Sequence, residues 1–155
     1  MDTSYGDMGA SEAIAVLGVF FAVMVILLIP TIFYLISLQK ALTRCRPENR
    51  TLEPGMVWLL LIPLFNIVWQ FLVVNHIANS LKNEFNARGE PTEEPLPGRG
   101  VGLAMCILNV VSIVPYLGSL AGLACLVCWI IYWVKIAGYS GRIANPPEEN
   151  AAFPA

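Results

Sequence analysis

Charge is the first thing this sequence lacks. No Asp, Glu, Lys or Arg occurs in residues 13–39, 54–81 or 100–134. Only 13% of the residues are charged and 57% are hydrophobic, where a typical soluble domain carries about 25% charged residues. A chain of 155 residues makes one domain. A soluble core of that size cannot bury three such stretches and still cover itself with polar surface. The composition therefore predicts an integral membrane protein.

Other absences narrow the function. Residues 1–39 contain no Lys or Arg, so the basic start of a cleaved signal peptide is missing. The apolar run that follows is too long for one, and the first helix reads as a retained anchor. There is no His-Glu-x-x-His, no phosphate-binding glycine loop and no Ser/His/Asp set. No acid or base lies inside an apolar stretch, where proton- and ion-coupled transporters usually carry one. This reading assigns no catalytic, cofactor-binding or metal-ligating residue and expects no nucleic-acid partner. Of the four cysteines, Cys106, Cys125 and Cys128 sit in apolar sequence and Cys45 in a loop. They form no secreted disulfide pattern, and without a fourth ligand nearby the three apolar ones read as packing residues rather than a metal site.

What is present is an all-α plan, one membrane domain over residues 1–139 with four apolar helical segments at about 13–38, 56–81, 102–114 and 119–137. Residues 140–155, rich in Gly, Pro and small polar types, read as a disordered tail. The first segment is long enough to span with tilt, kinked at Pro30 and ended before Pro47. Residues 82–100 read as a solvated link. The last apolar stretch is too long for one crossing, and Pro115 with Gly118 supplies a turn. The third and fourth segments then form a hairpin, with the third short for a full crossing.

The second segment, "MVWLLLIPLFNIVWQFLVVNHIANSL", is interrupted by Pro63, with Asn66 three residues on. Charge bears on whether it crosses or turns back, because Lys and Arg concentrate on the cytoplasmic side of membrane segments. If all four segments cross, the nine basic residues divide four to five between the two sides; if the second turns back, they divide nine to none. The charge pattern favours a re-entrant hairpin with its tip near Pro63–Asn66, the Asn66 amide bonding carbonyls that Pro63 leaves unpaired. A kinked, fully crossing helix is the alternative. Past Val74, Ile77, Leu81 and Phe85 fall at helical spacing opposite Asn75, His76, Asn79 and Lys82, an amphipathic extension suited to the bilayer interface or a helix continuing into water.

Polar and small residues in apolar sequence are the remaining candidates. Asn66, Gln70 and Asn109 either line a wet path or clamp helices, the commoner use. Gly118 and Gly122 form a small-residue face that packs against the third segment or another helix. Trp129, Trp133 and Lys135 read as an aromatic belt with a snorkelling cation, and His76 as an interfacial hydrogen-bonding residue.

The motif W-x-x-x-I-P-x-x-N-x-x-W, here Trp58, Ile62, Pro63, Asn66 and Trp69, resembles that of bacterial small integral membrane proteins of unknown function. The resemblance covers Met56 to Phe85 and implies location in a bacterial inner membrane. The layout around "LFN" is similar to that of the dispanin (interferon-induced transmembrane) family, whose members carry a cytoplasmic re-entrant helix followed by a spanning one; the cysteine cluster of that family is not matched. Together the readings predict a non-enzymatic interaction or assembly subunit in the lipid bilayer, as a homo-oligomer or part of a larger membrane complex. The N-terminus lies outside and the C-terminus in the cytoplasm. An oligomeric pore for small solutes and a lipid-binding or membrane-shaping protein are the alternatives.

Overall fold

The computed structural model describes residues 9–90, 92–114 and 116–144. All regular structure among them is helical: α1 (Ala10–Arg44), a 3-10 turn (Pro47–Asn49), a longer 3-10 segment (Pro54–Leu61), α2 (Pro63–Arg88), α3 (Arg99–Val111) and α4 (Gly118–Ala144). The all-α expectation is met among the described residues. Among the described residues, only α1 and α4 are long and apolar enough to cross a membrane. The second apolar stretch is split into two elements, and α3 has only 13 residues.

The split has a local cause. A residue before proline is pushed to extended backbone, and Ile62 sits at φ −82°, ψ 109°. Pro63 then occupies the first position of α2, where its missing N–H removes no intrahelical bond. The Ile62 carbonyl takes the backbone N–H of Asn66 at 2.8 Å, opening the new helix. The other end of α2 closes with Glu90 N–H on Phe85 O at 3.0 Å and Gly89 N–H on Asn86 O at 3.1 Å, a Schellman pattern. Helix α1 is continuous through Pro30. Past its last turn, Arg50 donates to the Cys45 and Thr43 carbonyls at 2.8 and 2.7 Å.

The chain divides into two compact units, Met1–Tyr34 and Leu35–Ala155. The described part of the first is helix with its apolar side chains exposed, among them Phe20, Phe21 and Leu27. The second has a core of Leu35, Leu38, Leu42, Val73, Val74, Ile77, Leu81, Phe85, Met105, Tyr132 and Ile136. Ile77, Leu81 and Phe85, expected on an interfacial face, are buried here, because the same spacing that makes a stripe for lipid also makes one for a neighbouring helix.

Within this unit the chain folds back on itself. Arg46 N–H donates to Glu84 at 2.8 Å, Thr51 N–H to Ser80 Oγ at 2.9 Å, and Trp69 Nε1 to Met56 O at 3.0 Å. As one partner advances along the chain the other retreats, so residues 46–61 run against α2 in the opposite sense. The pattern repeats from α2 to α3, with Arg99 on Asn75 Oδ1 at 2.8 Å and Asn109 on Gln70 Oε1 at 3.3 Å.

The link between α2 and α3, expected to be simply solvated, is fastened through Glu94, which accepts from Gly98 N–H at 2.8 Å and pairs with Lys135. Helix α4 runs to Ala144, beyond residue 140 where the sequence places the start of a disordered tail. The rest of that tail and Pro115 lie outside the described residues.

Candidate functional site

Two polar clusters stand out in this apolar chain. The first lies between α2 and α3. Gln70 is only 8% exposed; its Nε2 donates to Met105 Sδ at 3.7 Å, and its Oε1 accepts from Asn109 Nδ2 at 3.3 Å. These are amides 39 positions apart in sequence, and each satisfies part of the other's hydrogen-bonding need in apolar surroundings. Asn66, one helical turn before Gln70, does not bond carbonyls near Pro63 as expected, because Pro63 at a helix start leaves no gap in the ladder. Its Oδ1 is buried without a hydrogen-bond partner. Trp69 stacks on Phe65 at 5.1 Å between ring centres while donating to Met56 O. Trp58 Nε1 donates to Gln39 Oε1 at 2.9 Å, fastening the 3-10 segment to the last turns of α1.

The small-residue face separates into two different positions. A Cβ on Gly118 would stand 2.5 Å from the Ser112 carbonyl oxygen, so the close approach there requires glycine; a Cβ on Gly122 would meet nothing within 4 Å. The glycine that sequence reasoning missed is Gly102. A Cβ there would lie 2.5 Å from Val74 Cγ1 and 2.8 Å from Tyr132 Cε2, so α2, α3 and α4 meet at this point. The only signal was a glycine inside the first turn of an apolar helix.

The residues expected to anchor at an interface have partners within the chain. His76 Nδ1 lies 3.1 Å from Thr51 Oγ1. Trp133 donates to Ser37 Oγ at 2.8 Å and lies beside Trp129, with ring centres 5.3 Å apart. Lys135 pairs with Glu94. The Cys125 thiol donates to Met105 O at 3.5 Å, and no group of three His, Cys, Asp or Glu suited to a metal ion occurs among the described residues.

The second cluster was not foreseen. Glu84 is fully buried. One oxygen accepts from Arg88 Nε at 2.8 Å, and the other from Arg46 N–H and Asn49 Nδ2, each at 2.8 Å. Burial is the largest single influence and opposes its charge, but the bonds from Asn49, the Arg46 amide and Arg88 together outweigh it and hold the carboxyl below its ordinary value. Arg88 also reaches Ile143 O at 2.9 Å, and Arg44 reaches Ser140 O at 2.8 Å, so two arginines cover the last carbonyls of α4. Beside the cluster, burial first and the Glu84 charge second push the Cys45 thiol up to about 11. An i, i+4 Glu–Arg pair in sequence reads as a surface pair, which is why the cluster escaped notice.

The clearest apolar hollow, about 260 Å³, is lined by Leu108, Val111, Leu117, Leu120, Ala121 and Ala124. Comparison with protein-family models, with curated proteins and with solved structures gives no match.

Proposed function

We propose that the chain is a non-enzymatic integral membrane protein acting as an interaction or assembly subunit, in a homo-oligomer or a larger membrane complex. The carrying observation is the amide pair in apolar surroundings: Gln70 and Asn109 clamp α2 to α3. Such amide clamps are the common use of polar residues between membrane helices. The apolar surface around them has no partner among the described residues, with Leu64, Val68 and Leu120 all strongly exposed, and in this reading lipid or another membrane protein covers it.

In this reading the second apolar stretch enters the membrane and returns to the same face, and α3 with α4 makes a second hairpin. The opposed order of contacts from Arg46–Glu84 to Met56–Trp69 supports the first. All nine Lys and Arg residues then share the cytoplasmic side with the C-terminus, and the N-terminus lies outside. The resemblance to bacterial small membrane proteins supports an inner membrane as its location in this reading.

The test is extraction in a mild detergent followed by native mass spectrometry and cross-linking. A defined homo-oligomer or a stoichiometric membrane partner is expected; a strict monomer with no partner overturns the assembly role. A second reading, a pore made by a ring of copies, is favoured by the buried Asn66 Oδ1, which has no protein donor and suits a water. Ion flux in liposomes that disappears in Asn66→Leu would move the assignment to a pore.

A further inference from the structure

We infer that the α3–α4 turn, like the Ile62–Pro63 turn, ends inside the hydrocarbon, that both tips are covered by lipid acyl chains, and that α1 is the only segment that crosses the bilayer. This rests on the membrane reading above and goes beyond it by removing α4 from the crossing segments, although its length and composition would allow a crossing.

One polar edge of the helical body is marked by three ties. Arg99 donates to Asn75 Oδ1 at 2.8 Å, Lys135 pairs with Glu94, and Glu94 holds the Gly98 amide at 2.8 Å. Asn75, Arg99 and Lys135 therefore stand near one level, the cytoplasmic boundary of the apolar part. From it, α3 extends 13 residues, or roughly 20 Å at 1.5 Å per residue. The stretch of α2 from Asn75 back to Pro63 has the same reach.

Helix α4 has more residues between Lys135 and Gly118, roughly 26 Å along its axis, but it is tied to α3 at both ends. Tyr132 packs where Gly102 makes room for it, and Gly118 packs on the Ser112 carbonyl. The depth of the hairpin is therefore set by the shorter helix. A hydrocarbon core is about 30 Å thick; the first tip at roughly 20 Å, and the second at roughly 25 Å once the turn residues beyond Val111 are included, both fall short of the far surface.

The tips are made for that location. Leu64 is 86% exposed at the first turn, and at the second Ile113, Leu117 and the fully exposed Tyr116 carry no charge. A turn in water can leave its backbone groups to solvent; one in hydrocarbon must satisfy them itself. Here Ser112 N–H bonds Leu108 O at 2.9 Å, Ile113 N–H bonds Val110 O at 3.2 Å, and Val114 N–H bonds Val111 O at 3.0 Å. Ser112 Oγ returns to Asn109 O at 2.6 Å, and Ala121 N–H takes Leu117 O at 2.9 Å. Helical bonding thus runs to Val114 on the α3 side and begins at the Leu117 carbonyl on the α4 side.

The test uses the full chain in vesicles of phosphatidylcholine and phosphatidylglycerol, with a charged, impermeant maleimide added from one face at a time and each site read by peptide mass spectrometry. The variants are Leu64→Cys, Tyr116→Cys and Asn79→Cys, all at exposed positions. Asn79→Cys should label from one face. Both tip variants should resist labelling from either face and gain at least about ten-fold after denaturation in SDS, because the charged reagent is excluded from hydrocarbon. Labelling of Tyr116→Cys alone from the face opposite Asn79 overturns this inference and leaves the re-entrant second stretch standing. Labelling of Leu64→Cys from that opposite face overturns the re-entrant stretch itself. Labelling of either tip from the Asn79 face shows that the body does not enter the bilayer and overturns both.

Discussion

Trp69 donates its indole N–H to the Met56 carbonyl at 3.0 Å across the break at Ile62–Pro63. The chain has reversed between them. The bond holds the start of α2 against the 3-10 segment that leads into it, and Phe65 stacks on the same indole.

Trp69→Phe keeps most of the stacking and leaves the Met56 carbonyl without this donor. The expected cost is about 1 kcal/mol of stability, read from denaturant unfolding in bicelles. Trp69→Ala should cost clearly more. Equal stability of Trp69→Phe and the parent would show that the bond does not hold the reversal.

The Gln70–Asn109 pair is tested by a double-mutant cycle. Gln70→Leu and Asn109→Leu should each destabilise, and the double variant should lose less than their sum, with a coupling of about 0.6 kcal/mol or somewhat more. Strict additivity would mean that the two amides act independently.

Two glycines on apolar helices should respond in opposite ways. Gly102→Ala drives a methyl into Val74 and Tyr132, whereas Gly122→Ala enters open space. The first should cost about 1–3 kcal/mol as overpacking. The second should be neutral, or stabilising by a few tenths through helix propensity. Thermal unfolding of the two variants side by side decides it; a neutral Gly102→Ala would mean that the three helices separate easily there.

Glu84 makes stability depend on pH with a definite sign. Its folded-state carboxyl titrates below the ordinary value, so its stabilisation is fully present above the unfolded carboxylate range, about pH 4.3, and is lost as pH falls through the lower folded value. Glu84→Gln should remove that part of the acid dependence. Glu84→Ala should cost about 3 kcal/mol at neutral pH by leaving Arg88, Asn49 and the Arg46 amide unmatched. An unchanged acid-unfolding curve in Glu84→Gln would count against the assignment.

How much of this was legible in the sequence differs from residue to residue. Pro63 announced a break, because proline constrains its own backbone and its predecessor's wherever it stands. The end of α1 before Pro47 was readable for the same reason. Gly118 was readable as a turn glycine, but its difference from Gly122 was not, since the sequence contains no information on what faces each Cα. Ile77, Leu81 and Phe85 were correctly placed on one face, but that this face packs inside the chain was not legible, because periodicity names a face and leaves its neighbour open. His76, Trp133 and Lys135 looked like anchors by composition, and their partners Thr51, Ser37 and Glu94 lie too far along the chain for pattern to connect.

By itself the sequence determined the all-helical character, the uncharged stretches, the gathering of basic residues outside them and the interruption at Pro63. These follow from local backbone constraints and from composition, which act over a few residues at a time. Tertiary structure alone decided that Gln70 meets Asn109, that Gly102 is the packing point and that Glu84 is buried. Each of those depends on segments 28 or more residues apart coming together, and the preference for that meeting belongs to the summed packing of the whole body rather than to any one stretch.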